Sequence, residues 1–279
     1  MISSVLFGAF SILLVIGAPI AVALGMAAMA AFMSIGKDVT TLVQIAYNAV
    51  NSFPVMALPA FILSGALMQG SGISRRLVAV AEVLAGRMAG GLGASTVLAC
   101  LFFGAISGSG PATTAAVGML MIPAMARKGY DRSYASAITA SSGGLGIVIP
   151  PSIPMVIYGV TASESITQLF IAGVFPGLLI ASGIIILNYI ISKKKGYKPN
   201  EGEWSVKNTL VTIKDGFWAL MAPVVILGGI YSGFFTPTEA AIVSIFYTLF
   251  VGIFIYKELK LPAIFKSLDS TTWLSGRVL

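Results

Sequence analysis

Long apolar segments alternate with short polar segments along the whole chain. Tracts such as Val5–Ile35, Ser165–Ser192 and Phe217–Tyr256 hold few or no charged residues. A helix needs about 20 apolar residues to cross a hydrocarbon core of about 30 Å. Because unpaired backbone groups are costly in lipid, such tracts are expected to be helical. The pattern predicts an all-α membrane protein, a polytopic helical bundle.

Polar interruptions divide this pattern into separate predicted segments. These segments are Pro19–Ile35, Ser52–Gly70, Ser133–Pro150, Ile166–Ile191, Phe217–Tyr231 and Glu239–Tyr256. The residues before Gly17 form either a separate short span or the beginning of the first one. The segment Arg75–Met88 is amphipathic and basic, which predicts a helix lying along the membrane interface.

Composition supports a lipid environment. The chain is 57% hydrophobic and only 10% charged, whereas soluble domains carry about 25% charged residues. Fifteen of the 17 basic residues fall in four clusters, which the positive-inside rule assigns to the cytoplasm. The clusters are Arg75 to Arg87, Arg127 to Arg132, Lys193 to Lys214 (with Lys198) and Lys257 to Lys266. The turns expected to face the periplasm are Gly36–Asn48, Thr161–Ser165 and Ser232–Thr238. The sequence therefore predicts a multi-pass protein of the bacterial inner membrane. The basic clusters account for the net charge of +7, which does not require a nucleic-acid partner.

The stretch Gly91–Ala126 lies between two of these basic clusters, so it must enter and leave on one side. Its arms, Leu92–Ile106 and Pro111–Ala126, would each span roughly 22 Å as helices, which is less than the membrane core. Ser107–Pro111 between them cannot continue a helix, because glycine and proline break it. We expect a re-entrant helical hairpin with a polar tip. The alternative is two thin, tilted spans joined by a periplasmic turn.

Two sequence motifs interrupt helices that hydropathy assigns to the membrane. The first is the hairpin tip, where Ser107, Ser109, Thr113 and Thr114 supply hydroxyl oxygens. Such a tip can coordinate Na⁺ or present helix-start amides to a carboxylate, although small residues of this kind also serve helix packing. The second is Ser141–Ser152, where three glycines precede two prolines. A break there exposes carbonyl oxygens that can ligate a cation, and a simple kink is the alternative.

A third motif, Thr236 to Glu239, reads as a helix capping box with Pro237 at the first helical position. Glu239 therefore has a structural role. A similar Gly–Pro–Ala start at Gly17–Ala23 opens a helix in the opposite orientation, as an inverted repeat would. Only 23 residues follow Tyr256, so the second repeat is expected to be incomplete in this sequence.

Several enzyme classes are excluded by the residues that the sequence lacks. Histidine is absent and Cys100 is the single cysteine, which excludes an intrachain disulfide and a cysteine metal cluster. An intramembrane serine protease using Ser107 or Ser109 would have no histidine, and no lysine at membrane depth, to activate the nucleophile. No phosphate-binding loop of the GxxxxGK type is present. We therefore expect a transporter rather than an enzyme, with no cofactor; an ion channel is a further alternative.

Four stretches of the sequence resemble the large membrane subunit of the tripartite ATP-independent periplasmic (TRAP) transporters. They are Phe103–Thr113, Gly144–Ser152 with Tyr158-Gly159, Leu169–Gly173 with Pro176-Gly177, and Phe235–Ala241. The resemblance covers nearly the whole chain. It implies an elevator-type permease that works with a small four-helix membrane subunit and a periplasmic binding protein. Sodium entry would drive uptake of a small carboxylate such as a dicarboxylate, a sugar acid or sialic acid.

The resemblance also implies site residues and a domain organisation. The sodium site would use Ser107, Gly146, Val148 and Pro151. Substrate would lie beside the tip residues Gly108, Ser109, Gly110, Pro111 and Thr113, although Gly110-Pro111 departs from the small residues that many relatives have there. The implied domains are scaffold helices (1–74), an interfacial arm (75–90), a transport-domain hairpin and broken helix (91–162), and further scaffold helices with the start of a second repeat (163–279). Because relatives are longer, we expect this chain to lack the second hairpin and not to transport alone. A related elevator transporter working without a binding protein is the remaining alternative.

Overall fold

The computed structural model describes residues 2–197 and 206–278, and within these residues all regular secondary structure is helical. The predicted cytoplasmic Lys198 lies outside the described residues. The chain divides into two compact units, before and after the bond between Ser52 and Phe53. The all-α prediction is confirmed. The predicted domain boundaries, which rest on function, remain predictions.

The first unit contains α1 (Ile2–Val15), α2 (Ile20–Ser34) and α3 (Val39–Val50). The residues before Gly17 therefore form a separate helix. The predicted turn over Gly36–Asn48 is wrong, because most of it is α3. The Asp38 side chain accepts a hydrogen bond from the Thr40 amide, which caps this helix, and no glycine or proline interrupts it.

The second unit contains the remaining helices. They are α4 (Ala57–Gly70), α5 (Ile73–Ala85), α6 (Gly91–Ser107), α7 (Gly110–Arg127), α8 (Arg132–Gly143), α9 (Leu145–Val148), α10 (Ile153–Ala162), α11 (Ile166–Lys195), α12 (Val206–Asp215), α13 (Phe217–Tyr231), α14 (Pro237–Phe250), which continues as a π-helical turn (Val251–Ile255), and α15 (Leu261–Val278). The sequence pattern did not predict α12, the π-helical turn or α15.

Three helical segments of the described chain are long and apolar enough to cross a membrane. They are Arg132–Ala162 taken as one unit, Ile166–Lys195 and Pro237–Ile255. Two sharply bent pairs, α4 with α5 and α12 with α13, raise the number to five if each pair is counted as one span. These segments agree with a polytopic membrane protein.

The predicted arm helix is present as α5, which leaves α4 at an angle of 72°. Gly72 makes this bend with a left-handed φ of +79°, and a side chain there would also collide with Glu258. The bend is held by Ser71, whose hydroxyl donates to the Met68 carbonyl (2.9 Å) and accepts from the Ile73 amide (3.4 Å). The arm therefore has a fixed direction relative to α4.

Arg76 on this arm joins three segments that are distant in sequence. Its Nε donates to Asp215 (2.9 Å) and its Nη1 donates to Glu258 (2.9 Å). The guanidinium lies over the ring of Tyr256, with Cζ 3.7 Å from the ring centroid. Glu258 also pairs with Arg75 at 2.7 Å. The side chain of Arg76 is only 14% exposed, so these contacts hold α5 against the ends of α12 and of the π-helical turn.

The base of the hairpin is fixed to α11 by one buried amide. Asn188 donates to the Gly90 carbonyl (3.0 Å) and accepts from the Tyr134 hydroxyl (2.8 Å). Gly90 has a φ of +73°, and a side chain there would collide with Ser192 and Asn188. The hairpin therefore begins at a defined position on α11.

The capping box at the start of α14 is confirmed. The Glu239 carboxylate accepts from the Thr236 amide at 2.8 Å, and the Thr236 hydroxyl accepts from the Glu239 amide at 3.3 Å. Pro237 is the first helical residue. By contrast, α2 begins after Pro19, which caps it without a side-chain hydrogen bond. The two proposed repeat starts share composition but differ in cap geometry.

Candidate functional site

The predicted hairpin is formed by α6 and α7, which pack against each other. The break between them is limited to Gly108, with a φ of +63°, and Ser109, which is extended. The Ser109 hydroxyl caps α7 by accepting from the Ala112 amide at 3.4 Å. The arms have 17 and 18 residues, slightly more than predicted. At about 26 and 27 Å they remain shorter than the hydrocarbon core.

The predicted helix break lies between α9 and α10. After the four residues of α9 the backbone is extended at Ile149, and α10 begins only after Ser152. Pro150 and Pro151 have no amide hydrogen, so the carbonyls four residues earlier, those of Gly146 and Ile147, have no helical donor. The Ser152 hydroxyl donates to Ile147 at 2.6 Å. Of these two carbonyl oxygens, that of Gly146 is therefore the one that remains available to bind a cation.

The hairpin tip and the helix break lie against each other. The Ile153 amide donates to the Gly108 carbonyl at 3.1 Å. A Cβ on Gly108 would lie 2.8 Å from the Pro151 carbonyl oxygen. On the neighbouring turn, a Cβ on Gly104 would lie 2.8 Å from the Gly146 Cα. Glycine is required at these positions because the two backbones approach so closely.

The hydroxyl groups of the tip form one buried cluster. Ser107 Oγ lies 2.9 Å from Thr113 Oγ1, and Thr113 Oγ1 donates to the Ser109 carbonyl at 2.8 Å. Ser107 is 2% exposed and Thr113 is fully buried. Gly146 faces the same cluster: a Cβ there would collide with Thr113 Oγ1 and lie 2.9 Å from the Ser109 carbonyl oxygen. The hydroxyl cluster at Ser107 and the backbone of Gly146, 39 residues further along the chain, therefore lie side by side.

The remaining candidate residues are arranged less uniformly. The Val148 carbonyl oxygen faces α11, where a Cβ on Gly173 would lie 2.7 Å from it. Gly110 faces α8 instead: a Cβ placed on Gly110 would lie 3.3 Å from the Gly143 carbonyl oxygen. Pro111 is exposed. The structure therefore brings Ser107, Thr113 and Gly146 together most closely, and Val148 faces the other neighbour of α9.

Two contributors to the site were missed by the sequence reasoning. The Ile153 amide holds the tip to the break, and the only signal for it is the proline at position 154, which marks a helix start. Gly65 of α4 approaches Ser107 so closely that a Cβ would lie 3.2 Å from its Cα. Neither contact between distant segments has a local sequence signature.

The oxygen cluster suits a hard monovalent cation. Carbonyl and hydroxyl oxygens at unwound helices are the ligands that Na⁺ takes in transporters. The described residues contain no group of three histidine, cysteine, aspartate or glutamate side chains that could hold a metal. The neutral donors at the tip would therefore favour Na⁺ over a divalent ion, which generally requires carboxylates.

A cavity of about 440 Å³ opens beside the tip, between α4, the hairpin and α15. Its polar wall includes Gln69, Ser107, Ser109, Lys266, Ser267 and Ser270. Ser107 belongs both to this wall and to the buried hydroxyl cluster. An ion at the cluster and a solute in the cavity would thus share one side chain.

Comparison with known proteins gives a consistent family assignment. Residues 7–279 match the family described as "Tripartite ATP-independent periplasmic transporter, DctM component". The isethionate TRAP transporter permease protein DctMQ of Oleidesulfovibrio alaskensis is 44% identical over 276 residues, which are 99% of this chain and 44% of that protein. The sialic acid TRAP transporter permease protein SiaT of Haemophilus influenzae is 40% identical, over 96% of this chain and 43% of that protein.

A third relative is shorter. The C4-dicarboxylate TRAP transporter large permease protein DctM of Rhodobacter capsulatus is 35% identical over 290 residues, covering 99% of this chain and 66% of that protein. The chain thus spans less than half the length of the first two relatives and about two thirds of the third.

Proposed function

Because this chain belongs to the DctM family of the tripartite ATP-independent periplasmic (TRAP) transporters, we propose that it is the permease subunit of a sodium-coupled importer of small organic acids. It is a component of an inner-membrane transporter and not an enzyme. The observation that carries the proposal is the contact between the hairpin tip and the broken helix, which places the backbone of Gly146 beside the Thr113 hydroxyl and the Ser109 carbonyl, next to Ser107.

Sodium would be bound at this oxygen cluster. Ser107 Oγ is the ligand best supported by its position. The Gly146 carbonyl, which has no helical donor, is the candidate from the broken helix, and the Pro151 carbonyl lies next to Gly108. Val148 would join them only after its carbonyl turned from α11 toward the tip. Binding of Na⁺ at the contact would hold the hairpin against the broken helix, because the ion would take ligands from both.

Coupling to the solute would act through the tip. The hydroxyl of Ser107 touches the ion cluster and lines the adjacent cavity. An ion that fixes the tip therefore also fixes one wall of the cavity, so that each ligand binds better when the other is present. In an elevator mechanism the hairpin and broken helix would move together with both ligands.

The driving force would come from the ion gradient and the membrane potential. Each charge that moves across the membrane contributes about 2.3 kcal/mol per 100 mV. Two or more Na⁺ ions per anion would therefore favour uptake without ATP, in agreement with the absence of a GxxxxGK loop from the sequence.

The solute proposed is a small carboxylate, of the dicarboxylate, sugar-acid or sialic-acid type. The names of the relatives mention isethionate, sialic acid and C4-dicarboxylates, which are all organic anions. The proposed partners are a small four-helix membrane subunit and a periplasmic binding protein that delivers the solute. These features belong to the complete transporter, of which this chain matches a part.

The test of this proposal is uptake by the intact tripartite system containing this chain, reconstituted in proteoliposomes. Radiolabelled succinate or N-acetylneuraminate should accumulate only with an inward Na⁺ gradient and with the binding protein present. A Ser107→Ala variant should lose most of the Na⁺ stimulation, because the ion loses a ligand. Ser182→Ala is the matched control, since this exposed hydroxyl on α11 bonds only to its own helix. Uptake that is equal in Na⁺ and K⁺ would contradict sodium coupling, and uptake without the binding protein would favour the related elevator class.

A further inference from the structure

The cavity beside the hairpin tip has a wall that belongs to no predicted site. This wall is α15, whose residues Ala263, Lys266, Ser267, Ser270 and Leu274 recur at helical spacing and line the cavity. The face of α4 that carries Ile62, Gly65 and Gln69 lies opposite, and the tip closes one end. The cavity is thus bordered by three elements that are far apart in sequence.

Lys266 is the one ionisable residue among the described residues that line this cavity. The other polar groups of the wall are neutral. The hydroxyls of Ser267 and Ser270 donate to carbonyls of their own helix, at 2.9 and 3.0 Å. These two groups therefore have no proton available for a ligand. The cavity has a positive charge and no negative charge to balance it.

The end of the cavity at the hairpin tip also favours an anion. Helix α7 begins there, with Ser109 as its cap and Ala112 in its first turn, and both residues line the cavity. The start of a helix has a partial positive charge, although the Ala112 and Thr113 amides of α7 already donate to Ser109. A carboxylate between this helix start and Lys266 would be attracted from two sides.

The size of the cavity suits the same class of ligand. Binding sites for small molecules commonly have volumes of about 300–1,000 Å³. At about 440 Å³, the cavity has space for a four-carbon diacid or a sugar acid. Its apolar lining at Ile62, Ala263 and Leu274 can contact the carbon skeleton.

A second cavity of about 330 Å³ shares Gln69 and Gly70 with the first. Its wall includes Arg75 and Glu258, which form an ion pair at 2.7 Å. Because Arg75 belongs to a basic cluster expected in the cytoplasm, this second cavity is expected on the side where solute is released. The charge of Glu258 is already balanced by Arg75 and Arg76, so it does not repel a leaving anion.

We propose that Lys266 on α15 provides the positive charge that binds the carboxylate of the transported solute, with Gln69 of α4 as a neutral donor on the facing wall. This inference rests on the proposed function and assigns the anion-binding group within it. The ammonium group forms a charge-assisted hydrogen bond with the carboxylate, which is stronger than a bond between neutral groups. The sodium cluster meets this cavity at Ser107, so the cation would be held by oxygens of the tip and the anion by Lys266 and Gln69.

The experiment measures ligand binding to the purified full chain in lipid nanodiscs, because binding does not require transport. The probes are succinate and N-acetylneuraminate, with uncharged succinamide as the chemical control. Lys266→Met should weaken succinate binding by about tenfold or more, because the aliphatic chain is kept and the charge is lost. Lys266→Arg should stay within a few-fold of the unaltered protein. Lys260→Met is the matched control, since Lys260 is exposed near the start of α15 and lines neither cavity.

The outcomes separate this inference from sodium coupling. The assignment is supported if succinate binding is weakened in Lys266→Met and normal in Lys260→Met. Succinamide should not bind to any of these proteins. Sodium-dependent succinate binding that is unchanged in Lys266→Met would overturn the role of Lys266 and leave sodium coupling intact. Binding that needs Lys266 but not Na⁺ would support the anion site and contradict the coupling. Failure of the unaltered chain to bind either acid would overturn the inference.

Discussion

At the scale of single residues, the site depends on glycine where two backbones touch. Gly146 faces Thr113 Oγ1 and the Ser109 carbonyl, and Gly108 faces the Pro151 carbonyl. Neither position has room for a Cβ, and Gly108 also requires a positive φ. The absence of these two side chains therefore lets the backbone of the broken helix lie directly against the hairpin tip.

The variant Gly146→Ala tests this requirement. The added Cβ would collide with Thr113 Oγ1 and separate the broken helix from the tip. Overpacking of this kind costs about 1–3 kcal/mol, so the midpoint of thermal unfolding should fall. The stabilisation of the purified chain by NaCl relative to KCl should fall with it.

Gly183→Ala is the matched control for this variant. Gly183 is within α11, and a Cβ there would meet no atom within 4 Å. Alanine favours helix more than glycine does, so its stability should be unchanged or slightly raised. Equal sodium stabilisation in Gly146→Ala and in the unaltered chain would contradict the assignment of the cluster as a cation site.

At the scale of elements, the arm helix α5 is held by side chains rather than by a continuous backbone. Arg76 contacts Asp215, Glu258 and the ring of Tyr256. The Tyr256 hydroxyl in turn donates to the Asp215 carbonyl at 2.9 Å. These polar contacts add to the apolar packing of α5, whose Leu77 and Ala81 are buried in the core.

The variant Arg76→Met should loosen this arm. It removes two ion pairs and leaves Asp215 and Glu258 without their shared cation. Because Asp215 is 60% exposed and Glu258 is 31% exposed, solvent compensates for part of the loss. We expect a loss of about 1–2 kcal/mol in the free energy of unfolding.

Arg75→Met provides the comparison, since Arg75 is 66% exposed and makes one of these ion pairs. Exposed pairs contribute about 0–1 kcal/mol, so this change should have the smaller effect. Denaturation of the purified chain in detergent, followed by tryptophan fluorescence, measures both. A larger effect of Arg75→Met than of Arg76→Met would contradict the central position of Arg76.

At the scale of the whole molecule, the positive-inside rule predicts the orientation of the chain in the membrane. The end of α11 carries Lys193, Lys194 and Lys195 and is expected in the cytoplasm. The turn between α13 and α14 contains Phe234, is free of basic residues and is expected in the periplasm. Both positions are exposed, so both can react with a soluble reagent.

Labelling of single cysteines tests this orientation in the cell. A membrane-impermeant maleimide added to spheroplasts should label Phe234→Cys and should label Lys194→Cys only after the membrane is opened. The natural Cys100 is fully buried, so the unaltered chain is the unlabelled control. The reverse pattern of labelling would overturn the topology.

The sequence by itself determined the helical class, the membrane environment, the positions of both helix breaks and the cap of α14. These features are local. The missing amide of proline, the freedom of glycine and a capping box of four residues act within one or two helical turns, and apolar length acts within a single segment. Local rules also failed at Gly36–Asn48, where the polar residues suggested a turn although nothing in Val39–Val50 prevents a helix.

Tertiary structure decided which broken segments meet. No local pattern indicates that the Ile153 amide bonds to Gly108, that Val148 faces α11, or that α15 brings Lys266 to the cavity beside the hairpin tip. These contacts depend on how helices far apart in sequence pack together, and packing is set by the shapes of all the surfaces at once. The sequence therefore identified the unwound backbone, and only the fold decided which groups surround it.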